Sequence, residues 1–114
     1  RYDHAISVGK AFIRKFKEHE KTDNIYLRLA GWLIMEERLS AAGDVLAEAE
    51  ETLPNSPQMP AFLYWHADVL FKTSNSRSTD YKRGIILLQR VTYDYPDTKW
   101  AKYAAARLAE VETN

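Results

Sequence analysis

Two prolines set the terms on which this chain can fold. Pro54 and Pro96 each close a stretch of helical spacing, and the residues around them correspond at a separation of about 42. Twelve residues before the proline stands a small residue, Ala42 or Gly84. Eight before stands Leu46 or Leu88, five before Ala49 or Val91, and one before Leu53 or Tyr95. Thirteen after stands Ala67 or Ala109. Self-similarity at such a period means that one supersecondary unit is built more than once.

The same template fits an earlier stretch, shifted by about 37 residues, with Lys17 in the place of proline. Ala5, Phe12, Phe16 and Ala30 then fall on their counterparts. Gly9 does not, because the other copies carry leucine there. The two shifts differ by about five residues, and "TSNSRSTD" (73–80) accounts for them as a loop insertion.

Apolar spacing at three and four residues predicts helices along the whole chain, and no alternating run or Asn-Gly turn predicts a strand. The first helix carries Ala5, Val8, Phe12, Ile13 and Phe16 on one face. The second carries Ile25, Leu29, Trp32 and Leu33, and the third Ala42, Val45, Leu46 and Ala49, with Ser40 as its cap. The fourth opens on Ser56–Pro57 and carries Phe62, Leu63, Ala67, Val69, Leu70 and Phe71. The fifth, capped by Thr79 or Asp80, carries Ile85, Leu88 and Val91. The sixth, capped by Asp97, carries Trp100, Ala104, Leu108 and Val111. The expected fold is all-α, an α-solenoid of antiparallel hairpins within a single domain. It divides into a half repeat at 1–19, repeats at 22–54 and 57–96, and a half repeat at 97–112. A lone hairpin leaves apolar surface bare, and stacked copies cover one another.

Composition narrows the function. Charged residues make up 28% of the chain and balance to a net charge of zero, which removes the electrostatic case for nucleic acid or an anionic membrane. The absence of cysteine excludes disulfides, thiolate metal sites and a cysteine nucleophile. No apolar run is long enough to span a bilayer. His4, His19 and His66 are far apart, no H-x-x-x-H spacing occurs, and the glycines are isolated. His66 falls at an apolar repeat position and reads as a structural histidine. Glu36–Glu37 and Glu48, Glu50 and Glu51 read as solvated helix faces. No catalytic residue, metal site or cofactor is expected.

Small residues on both helices of a hairpin, an aromatic or leucine before the closing proline and a period in the thirties resemble the tetratricopeptide repeat. "DYPDTKWAKYAAARLAEVE", with its Leu108–Ala109 pair, resembles the repeats of bacterial envelope proteins of the Tol–Pal coordinator and outer-membrane assembly lipoprotein type. The resemblance covers nearly the whole chain. His66 in place of leucine, Lys17 in place of proline and the long 73–80 loop depart from the pattern.

The resemblance implies a protein-interaction scaffold that binds a polypeptide in a concave groove, in a periplasmic or outer-membrane-associated setting. Carried onto this sequence, the groove positions are Asn24, Leu27, Gly31, Ile34 and Met35, then Ala61, Tyr64, Asp68, Phe71 and Lys72, then Tyr103, Ala106 and Glu110. This apolar and aromatic set suits an amphipathic helix or an extended peptide. It does not suit the subclass that grips a terminal carboxylate, since Leu27, Gly31, Tyr64 and Asp68 stand at the places concerned. Both ends read as half repeats, so a longer parent protein or self-association through the end helices is also expected, with Phe12, Phe16 and Trp100 as contacts. A regulatory domain attached to an enzyme is a further alternative. A groove predicts exposed apolar side chains at Tyr64 and Phe71, whereas self-assembly predicts them on the end helices.

Overall fold

A computed structural model describes residues 1–17 and 19–112. Glu18, within the first expected half repeat, lies outside the described residues. Six helices follow one another, α1 (Asp3–Lys15), α2 (Thr22–Met35), α3 (Leu39–Thr52), α4 (Met59–Thr73), α5 (Thr79–Asp94) and α6 (Lys99–Glu112). No strand occurs among the described residues. Each helix packs on its neighbours in chain order, and α4 also touches α6. The result is an all-α, helical-repeat-like body of 42 × 29 × 20 Å.

The repeat is visible in backbone hydrogen bonds. Phe16, Leu53 and Tyr95 occupy the same template position, and each N–H closes its helix on the carbonyl of Phe12, Ala49 or Val91 at 2.8, 2.9 and 3.1 Å. Their φ and ψ angles agree closely, at −124/57, −124/60 and −132/51. Three residues on, the N–H groups of His19, Ser56 and Thr98 return to the carbonyls of Phe16, Leu53 and Tyr95. Three residues further, those of Thr22, Met59 and Ala101 return to His19, Ser56 and Thr98. The chain therefore turns the same corner three times. The first copy does so with Lys17 in place of proline, because the turn is held by hydrogen bonds that proline tolerates but does not supply.

The core sits where the template's small and large residues alternate. Ala30, Ala42, Leu46, Ala49, Ala67, Leu88 and Val91 are buried, whereas Ala109, the counterpart of Ala67 on α6, is exposed because no further helix follows α6 to cover it among the described residues. Gly84 is required by close approach, since a Cβ there would stand 2.7 Å from the Phe71 ring. Gly9 is the mismatch, and the space its missing leucine would take is filled from across the interface: a Cβ on Gly9 would stand 3.4 Å from the Trp32 ring. α4 is enclosed by α3, α5 and α6, and it buries almost every residue from Met59 to Phe71. That explains its continuous apolar character where the flanking helices show a single stripe.

Several expectations are corrected. α1 buries Ile6, Gly9 and Ile13, while Val8 and Phe16 are 54% and 41% exposed. Of the helices, α1 packs chiefly on α2, so only a narrow stripe is covered. Ser40 lies inside α3 and makes no cap. Ser56 stabilises the turn ahead of α4, accepting from the Gln58 N–H at 3.0 Å, and Pro60 rather than Pro57 occupies the first helical turn. α5 is capped by Ser78, whose extended backbone lets its hydroxyl accept from the Tyr81 N–H at 3.1 Å. Thr98, not Asp97, serves α6, accepting from the Ala101 N–H at 3.3 Å.

α2 ends without glycine or proline. The Arg38 N–H reaches the Leu33 carbonyl at 2.8 Å and the Glu37 N–H reaches Ile34 at 2.9 Å. This is a Schellman closure, and it holds Glu37 at a φ of 59°.

Candidate functional site

Four aromatic side chains gather where α4 meets α6. Tyr64 and Trp65 are adjacent on α4, and Trp100 and Tyr103 are one helical turn apart on α6. Trp100 is the hub, with ring centroids 5.5 Å from Tyr64, 6.2 Å from Trp65 and 5.6 Å from Tyr103. Tyr64 and Tyr103 complete the cluster at 6.0 Å. Edge-on and tilted rings at these separations attract beyond the area they bury. The cluster is open to solvent on one side, with Trp65 at 38% and Tyr103 at 48% exposure. Lys99 places its ammonium 5.2 Å from the Trp100 ring centre.

Below the rings an acid is clamped between two bases. Asp68 is buried on α4 and takes Lys72 from its own helix at 3.0 Å and Arg107 from α6 at 3.1 Å. The Arg107 guanidinium also lies 5.3 Å from the centre of the Phe71 ring. Both Asp68 oxygens are thus engaged, and the residue ties α4 to α6 rather than offering a free carboxylate. Burial raises the Tyr64 hydroxyl above its ordinary pKa, and the nearby Arg107 charge opposes that rise.

The groove residues expected from the resemblance divide into two groups. Tyr64, Asp68, Phe71, Lys72 and Tyr103 lie around the α4–α6 contact. Phe71 is buried there, against Gly84 and 4.8 Å from the Tyr81 ring, so it belongs to the core and cannot anchor a partner from an open groove. Tyr64 is half-buried by its ring neighbours. On α2, Asn24 and Met35 are exposed, while Leu27 and Ile34 are half-buried against the core. Among the described residues no hydrogen bond, ion pair or ring contact joins these four to the aromatic cluster. Trp65 and Arg107 complete the surface and were not among the expected positions. The signal for Trp65 was present in "YW", and that for the α6 half in "WAKY", two aromatics at a spacing of three.

The other singled-out residues have local partners. His66 is buried, and its Nδ1 lies 2.7 Å from Glu50 Oε2. Glu48 accepts from the Tyr26 hydroxyl at 2.9 Å, and Glu36 from the Tyr2 N–H at 3.2 Å. Glu36 and Glu50 are therefore half-buried partners of the preceding or following helix rather than solvated faces. Near the end of α1, Phe12, Phe16 and His19 form a ring cluster with centroids 5.0 to 5.9 Å apart. Among the described residues, no three histidine, aspartate or glutamate side chains gather as metal ligands. No helix among them is long and apolar enough to cross a membrane.

No protein-family model matches this sequence, and no curated protein matches it. The fold and the surface define an all-α, repeat-like chain with an open aromatic cluster between its fourth and sixth helices.

Proposed function

We propose that this protein is a non-catalytic interaction module, a short array of tetratricopeptide-type hairpins that holds a partner polypeptide against the α4–α6 face. The observation that carries this reading is the open cluster of Tyr64, Trp65, Trp100 and Tyr103. Tryptophan and tyrosine dominate interface hot spots, because they bring large contact area at small entropic cost. The Asp68 clamp supports it by holding the two helices in one geometry before a partner arrives. Exposed Asn24 and Met35 on α2 suit an outlying part of the same contact. The likeness of "DYPDTKWAKYAAARLAEVE" to envelope repeats favours a bacterial cell-envelope complex as the setting, at the periplasmic or outer-membrane surface.

Selection from a displayed peptide library, followed by titration of the winners, tests this reading. Trp65→Ala and Tyr103→Ala are each expected to weaken binding more than about tenfold, the scale of a hot-spot truncation. A library that yields no saturable binder sinks the reading, as do binders indifferent to both substitutions.

Self-assembly is the second reading, and it rests on exposed Val8 on α1 and Phe16 at its C-cap. Sedimentation velocity over a wide concentration range separates the two. A mass that rises with concentration, and falls back to monomer in Phe16→Ser, favours assembly through α1.

A further inference from the structure

α1 and α3 both pack on α2, and a cleft of about 440 Å³ lies between them. Its floor is Ile13, Tyr26, Leu29 and Val45. Its two banks carry opposite charge. α1 contributes Lys10 and Arg14, with Lys17 just past its C-cap, and α3 contributes Asp44 and Glu48. Lys10 and Arg14 are four residues apart on α1, and Asp44 and Glu48 four apart on α3, so the α-helical spacing lines each pair up along the cleft.

Opposite charges that line one cleft of a fold ordinarily find each other. Here they do not. Among the described residues, Lys10, Arg14, Lys17 and Asp44 make no ion pair within the chain. Glu48 is engaged only with the Tyr26 hydroxyl, through Oε2. Among the described residues the cleft therefore presents an apolar floor between a basic bank without ion pairs and an acidic bank in which Glu48 bonds only the Tyr26 hydroxyl.

We propose that this cleft takes an amphipathic helix of a partner protein, one whose apolar stripe is flanked by acidic residues on one side and basic residues on the other. A channel between two helices is the shape into which the side-chain ridge of a third helix packs. The apolar stripe seats on half-buried Val45, with Ile13 and Leu29, buried in the chain, behind it. The acidic flank meets Lys10, Arg14 and Lys17, and the basic flank meets Asp44 and Glu48. A helix with flanks of one sign brings like charges together along one bank, which excludes it by repulsion. Lys10 and Arg14 lie about 6 Å apart along α1 at 1.5 Å per residue, so the contact spans about one turn of the incoming helix, and Lys17 extends it past the end of α1. This site lies on α1 and α3, apart from the α4–α6 surface, and does not depend on the function proposed for that surface.

The test uses the whole chain and three synthetic helical peptides of about 16 residues, long enough to form a helix on a surface. They share one apolar stripe and differ only in their flanks, which are Glu and Lys, Lys and Lys, or Glu and Glu. In fluorescence anisotropy titrations the mixed peptide is expected to bind about tenfold tighter than either single-sign peptide. Lys10→Glu with Arg14→Glu turns the basic bank acidic and shifts the preference to the Lys/Lys peptide. Asp44→Lys shifts it the other way, towards Glu/Glu. All three side chains are solvent-accessible, and circular dichroism checks that helix content is kept. Equal affinity for the three peptides overturns the proposal, as does no saturable binding of the mixed one or an unchanged ranking in both variants. Loss of mixed-peptide binding in Tyr103→Ala also overturns it, because the peptide then sits on α6.

Discussion

Glu37 holds a backbone conformation that its side chain disfavours. Its φ of 59° is left-handed, and it sits there because the Schellman closure of α2 needs a residue in that region. Glycine adopts it without a Cβ penalty of about 1–2 kcal/mol, and loses part of that gain through its freer unfolded chain. Glu37→Gly is therefore expected to raise stability by about 0.5–1 kcal/mol, read as a higher urea midpoint at unchanged slope. Tyr26 offers a second residue-scale outcome. Burial and then the Glu48 carboxylate push its hydroxyl up to about 12 from an ordinary value of 10.0. The folded protein thus keeps this proton more tightly than the unfolded chain does. The stability it contributes is complete below pH 10 and is lost as pH rises towards 12. Alkaline unfolding in that window, absent from Tyr26→Phe, checks the assignment. Neither site was legible in advance. A non-glycine left-handed residue has no sequence signature, and the Tyr26–Glu48 bond joins positions 22 residues apart.

Between elements, the tightest contact is α4 against α5. Gly84 lets the Phe71 ring lie on the α5 backbone, and that ring is held in turn by Tyr81 and Arg107. Gly84→Ala gains about 1 kcal/mol of helix propensity, but the new methyl meets a ring with no free direction of retreat, an overpacking cost of about 1–3 kcal/mol. The expected outcome is a net loss of up to about 2 kcal/mol, and Phe71→Leu in the same chain should recover much of it. Additive losses in the double variant, measured by denaturant unfolding, refute the contact. The small residue at this position was visible from the repeat, since Ala42 and Gly84 share a template place. That Phe71 fills the gap was not, and the groove reading placed Phe71 on the open side instead. A residue on an enclosed helix has no polar face to reveal which way it points, and α4 is covered on three sides.

At the scale of the whole molecule, six helices in chain order leave uncovered surface beyond the exposed apolar residues of α1, and two parts of it carry a functional reading. One is aromatic, between α4 and α6, and the other is charged on two banks, between α1 and α3. If the aromatic face is the partner surface, Trp65→Ala and Tyr103→Ala should leave the thermal midpoint within about 2 °C, because exposed truncations remove little core. Peptide capture should nevertheless fall. A thermal midpoint that drops sharply in both variants indicates that the cluster is a packing feature, and differential scanning calorimetry distinguishes the two.

Sequence alone determined the all-α class, the positions of six helices to within a few residues and the recurrence of one turn at Pro54, Pro96 and Lys17. Those properties follow from local chemistry, because helical period, chain reversal and small-residue spacing all act within a few turns of the backbone. Tertiary structure decided which aromatics stay open, which carboxylates are clamped and which charges face each other without pairing. Asp68 stands among the expected groove positions until Arg107, 39 residues later, folds onto it. Nothing in the sequence places Lys10 and Asp44 on one cleft; α2 does, by holding α1 and α3 on either side of it. Such properties depend on the distance between helices, and that distance is set by the side chains packed between them.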